Sequence, residues 1–283
     1  MIHVYSEMST SDVFRDLNLL PPFPGIATKI LRALSHSEAS VQEIAELVRA
    51  DAALSSELLR IANSSLYAFP AQISSIQRAV SLMGFDEVRK FVLAVSVKFF
   101  FFHPAMRLDL LRSIWRHSLA CALVCEELSI ACSSTECRDD QAYTTGLLHD
   151  IGRMGLCVVH PQEYAALLAG AEGDMLARER ETFGIDHCEA GLWLAEKWEL
   201  PEEVRRTVAT HHQQPAPEGV TLEKIVQLGV LLTGVLGFDV TAPPPGSSLP
   251  HIRALLPKPV QYRYDPEQRA MQARIGDKLD ALD

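Results

Sequence analysis

Gly146-Leu147-Leu148-His149-Asp150-Ile151-Gly152 is the stretch on which the reading of this chain turns. It sets an imidazole beside a carboxylate, between apolar residues. An adjacent His-Asp pair places two metal-ligand side chains at one helix end, so any further ligands must come from neighbouring helices. Working outward, His117 lies upstream, and His187 and the pair His211-His212 lie downstream. These five are half of the chain's ten histidines, and each falls in a segment that reads as helix. Further on, Ile225-Val226-Gln227-Leu228-Gly229-Val230 is a run without any carboxylate.

The rest of the chain supports a bundle that would bring these residues together. Ala27 to Leu34 carries apolar residues at helical spacing, and Ser40-Val41-Gln42-Glu43 is a capping box for a helix to Arg49. Helices follow over 52–63, from Ser74 or Ser75 to a stop at Gly84, and over Phe85 to Phe101. A second group begins near Leu108 with a helix to Ile130, whose stripe of Leu110, Ile114, Cys121, Val124 and Leu128 includes His117 and turns it inward. Ser133 to Asp140 reads as a polar loop, and helices are expected over 141–149, 161–182, 187–198, 201–212 and 221–236. No stretch alternates with period two, so the fold class is all-α, a two-lobed helical bundle. The expected organisation is an N-terminal helical lobe over 12–105 and a second helical lobe over 106–239. A proline-rich linker and short final helix fill 240–283, with Asp265-Pro266 as the helix start and little other regular structure in that tail.

Composition narrows the function. The net charge of −10 argues against a nucleic-acid partner that would need a broad basic face. No apolar run reaches the roughly 20 residues of a membrane span, and Met1 to Ser11 does not read as a secretory signal. The six cysteines have no C-x-x-C spacing, and Cys121 and Cys125 share a helix face, which fits core packing. Reduced thiols point to a cytoplasmic location.

Neutral imidazoles with one aspartate suit iron, manganese, zinc or nickel. Two readings stay open here: a divalent-metal site, or a buried polar cluster of histidines that only supports the fold. His187 shares a face with Ala190, Gly191, Leu194 and Trp198, and the small pair would let another helix approach closely. His36, His103, His160 and His251, beside turns or prolines, are expected at the surface without a role.

Several stretches together resemble one family. Leu20-Pro21-Pro22-Phe23-Pro24, Ile44 to Leu54, Ala62-Asn63-Ser64-Ser65-Leu66-Tyr67, Ile73 to Val80 and Leu82-Met83-Gly84 are similar, in order, to the N-terminal motifs of the HD-related output domain (HDOD). Trp115-Arg116-His117, the His149-Asp150 stretch, Asp186 to Gly191, Trp198 to Pro201 and His211-His212 resemble its HD-like half. The resemblance spans roughly Leu17 to Gly237. It implies a bacterial signal-transduction or response-regulation module related to HD and HD-GYP metal phosphohydrolases, with His117, His149, Asp150, His187, His211 and His212 as the metal-ligand candidates. Two departures accompany it. The late aspartate of active relatives falls near Val230, and Gln213-Gln214-Pro215-Ala216-Pro217 replaces the GYP signature. The expectation is therefore a non-catalytic module that acts through a signalling partner supplied in trans, with the last helix docking that partner or pairing in a homodimer. The alternative is a phosphodiesterase or nucleotidase with a reduced metal site. The turn at Asn63-Ser64 is expected to be structural, bonding backbone rather than a ligand.

Overall fold

In the computed structural model, the 283-residue chain is described over residues 8–29, 41–102, 108–132, 139–170, 173–216, 218–240, 248–256, 258–261 and 268–282. Among these residues the regular structure is helical throughout, as the periodicity predicts.

The N-terminal group holds α2 (Val41–Arg49), α3 (Ala52–Ala62), α4 (Ile76–Met83) and α5 (Phe85–Phe101). Local chemistry sets its boundaries. Asp51 caps α3 through its Oδ1, which accepts from the amides of Ala53 and Leu54. Ser75 caps α4, and Gly84 ends it at φ +89°, a conformation that favours glycine. Asn63 at the end of α3 donates to the carbonyls of Leu59 and Ile73 and accepts from the amide of Ile73, all at 2.7 to 2.8 Å. That side chain pins the loop back onto the helix, so its role is structural. The capping Ser40 and the end of the helix expected to Leu34 lie outside the described residues, although 25–29 is helical.

The second group is built on α6 (Leu108–Cys132), a 25-residue helix that packs against α7 (Asp139–Leu148) and α13 (Leu222–Val235). Around it lie α8 (Ile151–Val159), α9 (Pro161–Ala169), α10 (Met175–Phe183), α11 (His187–Lys197) and α12 (Glu202–Thr210). Asp139 and Asp140, read as loop, open α7; the rest of that polar segment lies outside the described residues. The single helix expected over 161–182 is two. Gly170 ends α9, Gly173 takes φ +106°, and Asp174 starts α10 by accepting from the amide of Leu176. Helix α8 follows the His-Asp pair directly and had no counterpart in the periodicity reading.

Helix α1 (Thr10–Asn18), also absent from that reading, lies against α8 and α11. Lys197 on α11 donates to the carbonyls of Leu17, Asn18 and Leu20, a cation at a helix C-terminus. The Leu20-Pro24 strap then crosses to α5. Trp198 Nε1 donates to Pro21 O at 3.2 Å, and the Trp198 ring meets Phe23 and Phe100, each at 5.2 Å.

The tail carries more structure than its prolines suggest. Helix α14 (Leu249–Leu255) is capped by Ser248 and has proline in its first turn, where proline is tolerated. A short α15 (Lys258–Gln261) follows. The expected final helix is α16 (Gln268–Leu282); its proposed start at Asp265-Pro266 lies outside the described residues. Helix α16 buries Met271, Ile275, Leu279 and Leu282 and pairs Asp280 with Arg116 at 2.9 Å. No helix among the described residues is long and apolar enough to cross a membrane. Cys121, Cys125, Cys157 and Cys188 are buried and form no disulfide; Cys137 lies outside the described residues.

One surface expectation fails. His160 is buried, stacked at 5.8 Å on Phe183 with its Nε2 3.6 Å from Asp16 on α1. The proline after it starts α9, which folds the ring under α1 instead of into solvent. His251 is exposed, and His36 and His103 lie outside the described residues.

Candidate metal centre

Helices α6, α7, α11 and α12 bring all six candidate ligands to one place. His117 points inward from the middle of α6. His149 and Asp150 occupy the turn between α7 and α8, at the end of one helix and the start of the next. His187 is the first residue of α11, fixed there by a capping box: Asp186 accepts from the Glu189 amide at 2.9 Å, and Glu189 accepts from the Asp186 amide at 3.0 Å. His211 and His212 sit in the turn just past α12 rather than inside it.

Close helix approach makes this convergence possible. A Cβ on Gly152 would fall 2.0 Å from the His187 carbonyl oxygen and 2.4 Å from the Gly191 amide nitrogen. Only glycine at this position lets α8 lie against the start of α11, as the small Ala190-Gly191 pair had suggested.

Asp150 lies between two sets of imidazoles. Its Oδ2 is 3.9 Å from Nε2 of both His117 and His149, which are 3.3 Å from each other. Its Oδ1 is 3.4 Å from His187 Nε2 and 3.7 Å from His211 Nε2. His187 Nε2 in turn lies 3.3 Å from His211 Nε2 and 2.9 Å from His212 Nε2. Asp150 starts α8 but makes no capping hydrogen bond, so it is not there to serve the helix N-terminus. Both of its oxygens are buried and without a hydrogen-bond partner. A buried carboxylate in that condition is costly unless a cation faces it.

The rings are oriented from behind. Nδ1 of His117 faces the Phe238 carbonyl at 3.0 Å, that of His149 the Gly146 carbonyl at 2.7 Å, and that of His211 the Val208 carbonyl at 2.8 Å. Each acceptor calls for an Nδ1–H, which leaves the Nε2 lone pair directed into the pocket. For His187 the acceptor is Glu179 on α10, fully buried, at 2.5 Å. Glu179 also accepts from the His187 amide at 2.9 Å and from Tyr164 Oη at 2.7 Å. Such a carboxylate behind a metal-facing imidazole raises its basicity and fixes its orientation.

Charge follows geometry. Burial alone would raise the Asp150 pKa, but Arg153 first, then His149, His187 and His117, hold it well below the usual carboxylate range. Burial, together with the neighbouring imidazoles, pushes His211 and His212 well below the usual histidine value, so both stay neutral and able to ligate at neutral pH. Burial would raise Glu179 as well, yet His187 and Arg153 bring it to about 2.

Two residues that the sequence did not single out belong to this centre: Glu179 and Arg153. Arg153 is buried on α8, three residues after Asp150, with its Nε 2.9 Å from Asp150 Oδ2 and its Nη2 3.3 Å from His187 Nε2. The i, i+3 spacing from Asp150 was the available signal for Arg153. For Glu179 the sequence offers none, since Glu181 nearby looks the same. A third group, Asp239, lies 3.7 Å from Nδ1 of His117, on the outer side of that ring.

On α13, Val230 is buried and apolar, and Gln227 is the side chain that reaches toward the histidine pair, donating to the Thr210 carbonyl at 3.0 Å. The carboxylate missing from the sequence is therefore not restored by α13. The donor set still fits divalent metal: His117, His149 and Asp150 form one group with ligand atoms within 4.8 Å of one another, and His187, Cys188 and His211 form another. A cation held there would supply a Lewis acid and lower the pKa of a bound water.

A family model described as the HDOD domain matches residues 20–214. An uncharacterized protein of Treponema pallidum is 26% identical over 208 residues, covering 70% of this chain. The uncharacterized protein YuxH of Bacillus subtilis is 31% identical over 70 residues, 25% of this chain. The chain spans 39% and 17% of the lengths of these two relatives. Among solved structures, an HDOD domain protein of unknown function from Geobacter sulfurreducens superposes with a TM-score of 0.71 at 21% identity, covering 97% of both chains. A Shewanella amazonensis protein whose name suggests a metal-dependent phosphohydrolase gives 0.64 at 18% identity, covering 97% of this chain and 98% of its own. At these identities the likeness is one of fold.

Proposed function

This chain belongs to the HDOD family, and from that membership we propose that it is a signal-transduction module whose HD-type pocket binds a divalent cation without catalysing hydrolysis. The observation that carries this reading is the state of Asp150. It is buried between the Nε2 atoms of four imidazoles, those of His117, His149, His187 and His211, has no hydrogen-bond partner, and has the Arg153 guanidinium against it. A pocket of that kind is built to hold positive charge. With Val230 in place of a late carboxylate, the pocket lacks the acidic group that a second metal would call for, and the Arg153 guanidinium already faces Asp150.

In this reading metal sets the packing of α6, α8, α11 and α12, and a bacterial partner protein in the cytoplasm reads that packing. The lobes over 12–105 and 106–239 would act as one unit, with residues 240–283 contributing α16 to the surface that a partner or a second copy sees.

A second reading keeps hydrolase activity. The convergence of five histidines with their Nε2 atoms inward favours it, since one cation with four or five ligands can activate water. Turnover separates the two. The protein, loaded in turn with Mn²⁺, Fe²⁺, Zn²⁺ and Ni²⁺, is assayed on phosphomonoester, phosphodiester and nucleotide substrates beside Asp150→Ala. Metal bound with no turnover supports the signalling module. Turnover lost in Asp150→Ala establishes the hydrolase.

A further inference from the structure

We propose that the Arg153 guanidinium is the built-in occupant of this pocket, and that it competes with divalent metal for Asp150. The proposal rests on the reading of the pocket as a cation site.

Arg153 touches both halves of the centre. Its Nε lies 2.9 Å from Asp150 Oδ2, the oxygen that faces His117 and His149. Its Nη2 lies 3.3 Å from His187 Nε2, in the half with His211 and His212. The contact with Asp150 is one of charge rather than of directed hydrogen bonds. Arg153 Nε and Nη1 are buried without a hydrogen-bond partner, as are both Asp150 oxygens. An arginine placed purely to brace a carboxylate typically forms a forked pair with parallel N–H···O bonds. Here the guanidinium supplies positive charge while leaving the lone pairs of Asp150 uncommitted.

The arrangement has a physical rationale. Without a counter-charge, a carboxylate this deeply buried would be strongly destabilising. Arg153 provides that charge when metal is scarce, so the helices stay packed. A divalent ion bound to Asp150 and the imidazoles would lie within a few ångströms of the guanidinium and repel it. Arg153 therefore sets the metal concentration at which the pocket fills, and filling requires the guanidinium to leave Asp150. Metal occupancy and the position of α8 are thereby coupled.

The test is Mn²⁺ binding to the full chain, stripped of metal with chelator and titrated calorimetrically, for wild type, Arg153→Met, Arg153→Gln, Arg153→Lys and Asp150→Ala. Met and Gln remove the charge and are expected to tighten binding ~10-fold or more, or to admit an equivalent that wild type excludes. Lys keeps the charge and is expected to stay near wild type. The metal-free Met and Gln proteins should melt below wild type and gain more from Mn²⁺. If the Met variant does not fold, the Gln variant decides. Binding by Met and Gln that equals or falls below wild type, yet is lost in Asp150→Ala, overturns the competition and leaves the cation site standing. No binding by any of the five proteins overturns both.

Discussion

Gly152→Ala is the sharpest test of how the centre is assembled. The added methyl would sit 2.0 Å from the His187 carbonyl oxygen, 2.4 Å from the Gly191 nitrogen and 2.8 Å from the Gly191 Cα. Real Cβ atoms essentially never come within 3.0 Å of a neighbour, and all three atoms here are backbone, so no side chain can swing aside. Helices α8 and α11 must part by about 1 Å, which loosens close packing along their whole contact. Overpacking usually costs about 1–3 kcal/mol. This case belongs at the upper end, because the clash is doubled and rigid. At ~2–4 °C per kcal/mol for a chain of this size, the melting temperature should fall by roughly 6–12 °C. His187, at the start of α11, would move with its helix, so metal binding should weaken in the same protein. The control is Gly276→Ala in α16, where an added Cβ meets nothing within 4 Å. The same chemical change there should stabilise by about 0.5–1 kcal/mol through helix propensity. Thermal melts by circular dichroism, with Mn²⁺ titration, read both variants. A Gly152→Ala protein that melts within ~1 °C of wild type would refute the reasoning about how α8 and α11 fit together.

Other outcomes follow from the same geometry. Glu179→Ala removes the acceptor behind His187 and leaves the Tyr164 hydroxyl and the His187 amide unpaired, so metal affinity should drop ~10- to 100-fold and stability by about 2–4 kcal/mol, measured by titration and urea unfolding. Trp198→Ala opens the junction of Phe23, Phe100 and α11 and should cost about 3–5 kcal/mol, whereas Trp198→Phe, which loses mainly the bond to Pro21, should cost about 1 kcal/mol; equal losses would argue against the strap. Burial holds the His160 pKa below its usual value even though Asp16 and Glu163 pull it upward. A lowered histidine adds stability that is complete above the unfolded pKa near 6.5 and is lost as pH falls through the folded value. Compared at pH 7.5 and pH 5.5, His160→Phe should therefore lose less melting temperature than wild type, and an equal or larger loss would count against this.

Much of this protein was legible in the sequence because the signals involved are local. The capping Ser75, the stop at Gly84 and the 3.6-residue stripe along α6 depend on neighbours a few residues away. They gave an all-α chain with His117 turned inward, and the order of motifs gave the family. The resemblance supplied the six ligand candidates, and the packed helices bring those side chains into one pocket. Two local errors of the sequence reading share a cause. The break at Gly170 to Asp174 and helix α14 in the tail rest on one or two capping residues amid prolines and glycines, where periodicity says little.

Tertiary structure alone decided the character of the centre. That Asp150 lies between two sets of imidazoles, instead of capping α8, depends on how closely Gly152 lets α11 approach. That Glu179 stands behind His187 while Glu181 does not depends on how α10 turns after its break. That Arg153 faces inward against a carboxylate, where an arginine would ordinarily seek water, depends on α8 being enclosed by its neighbours. Sequence fixes which groups a helix carries. The electrostatic state of a buried pocket is a sum over groups from many helices at distances of a few ångströms, and only the packed chain sets those distances.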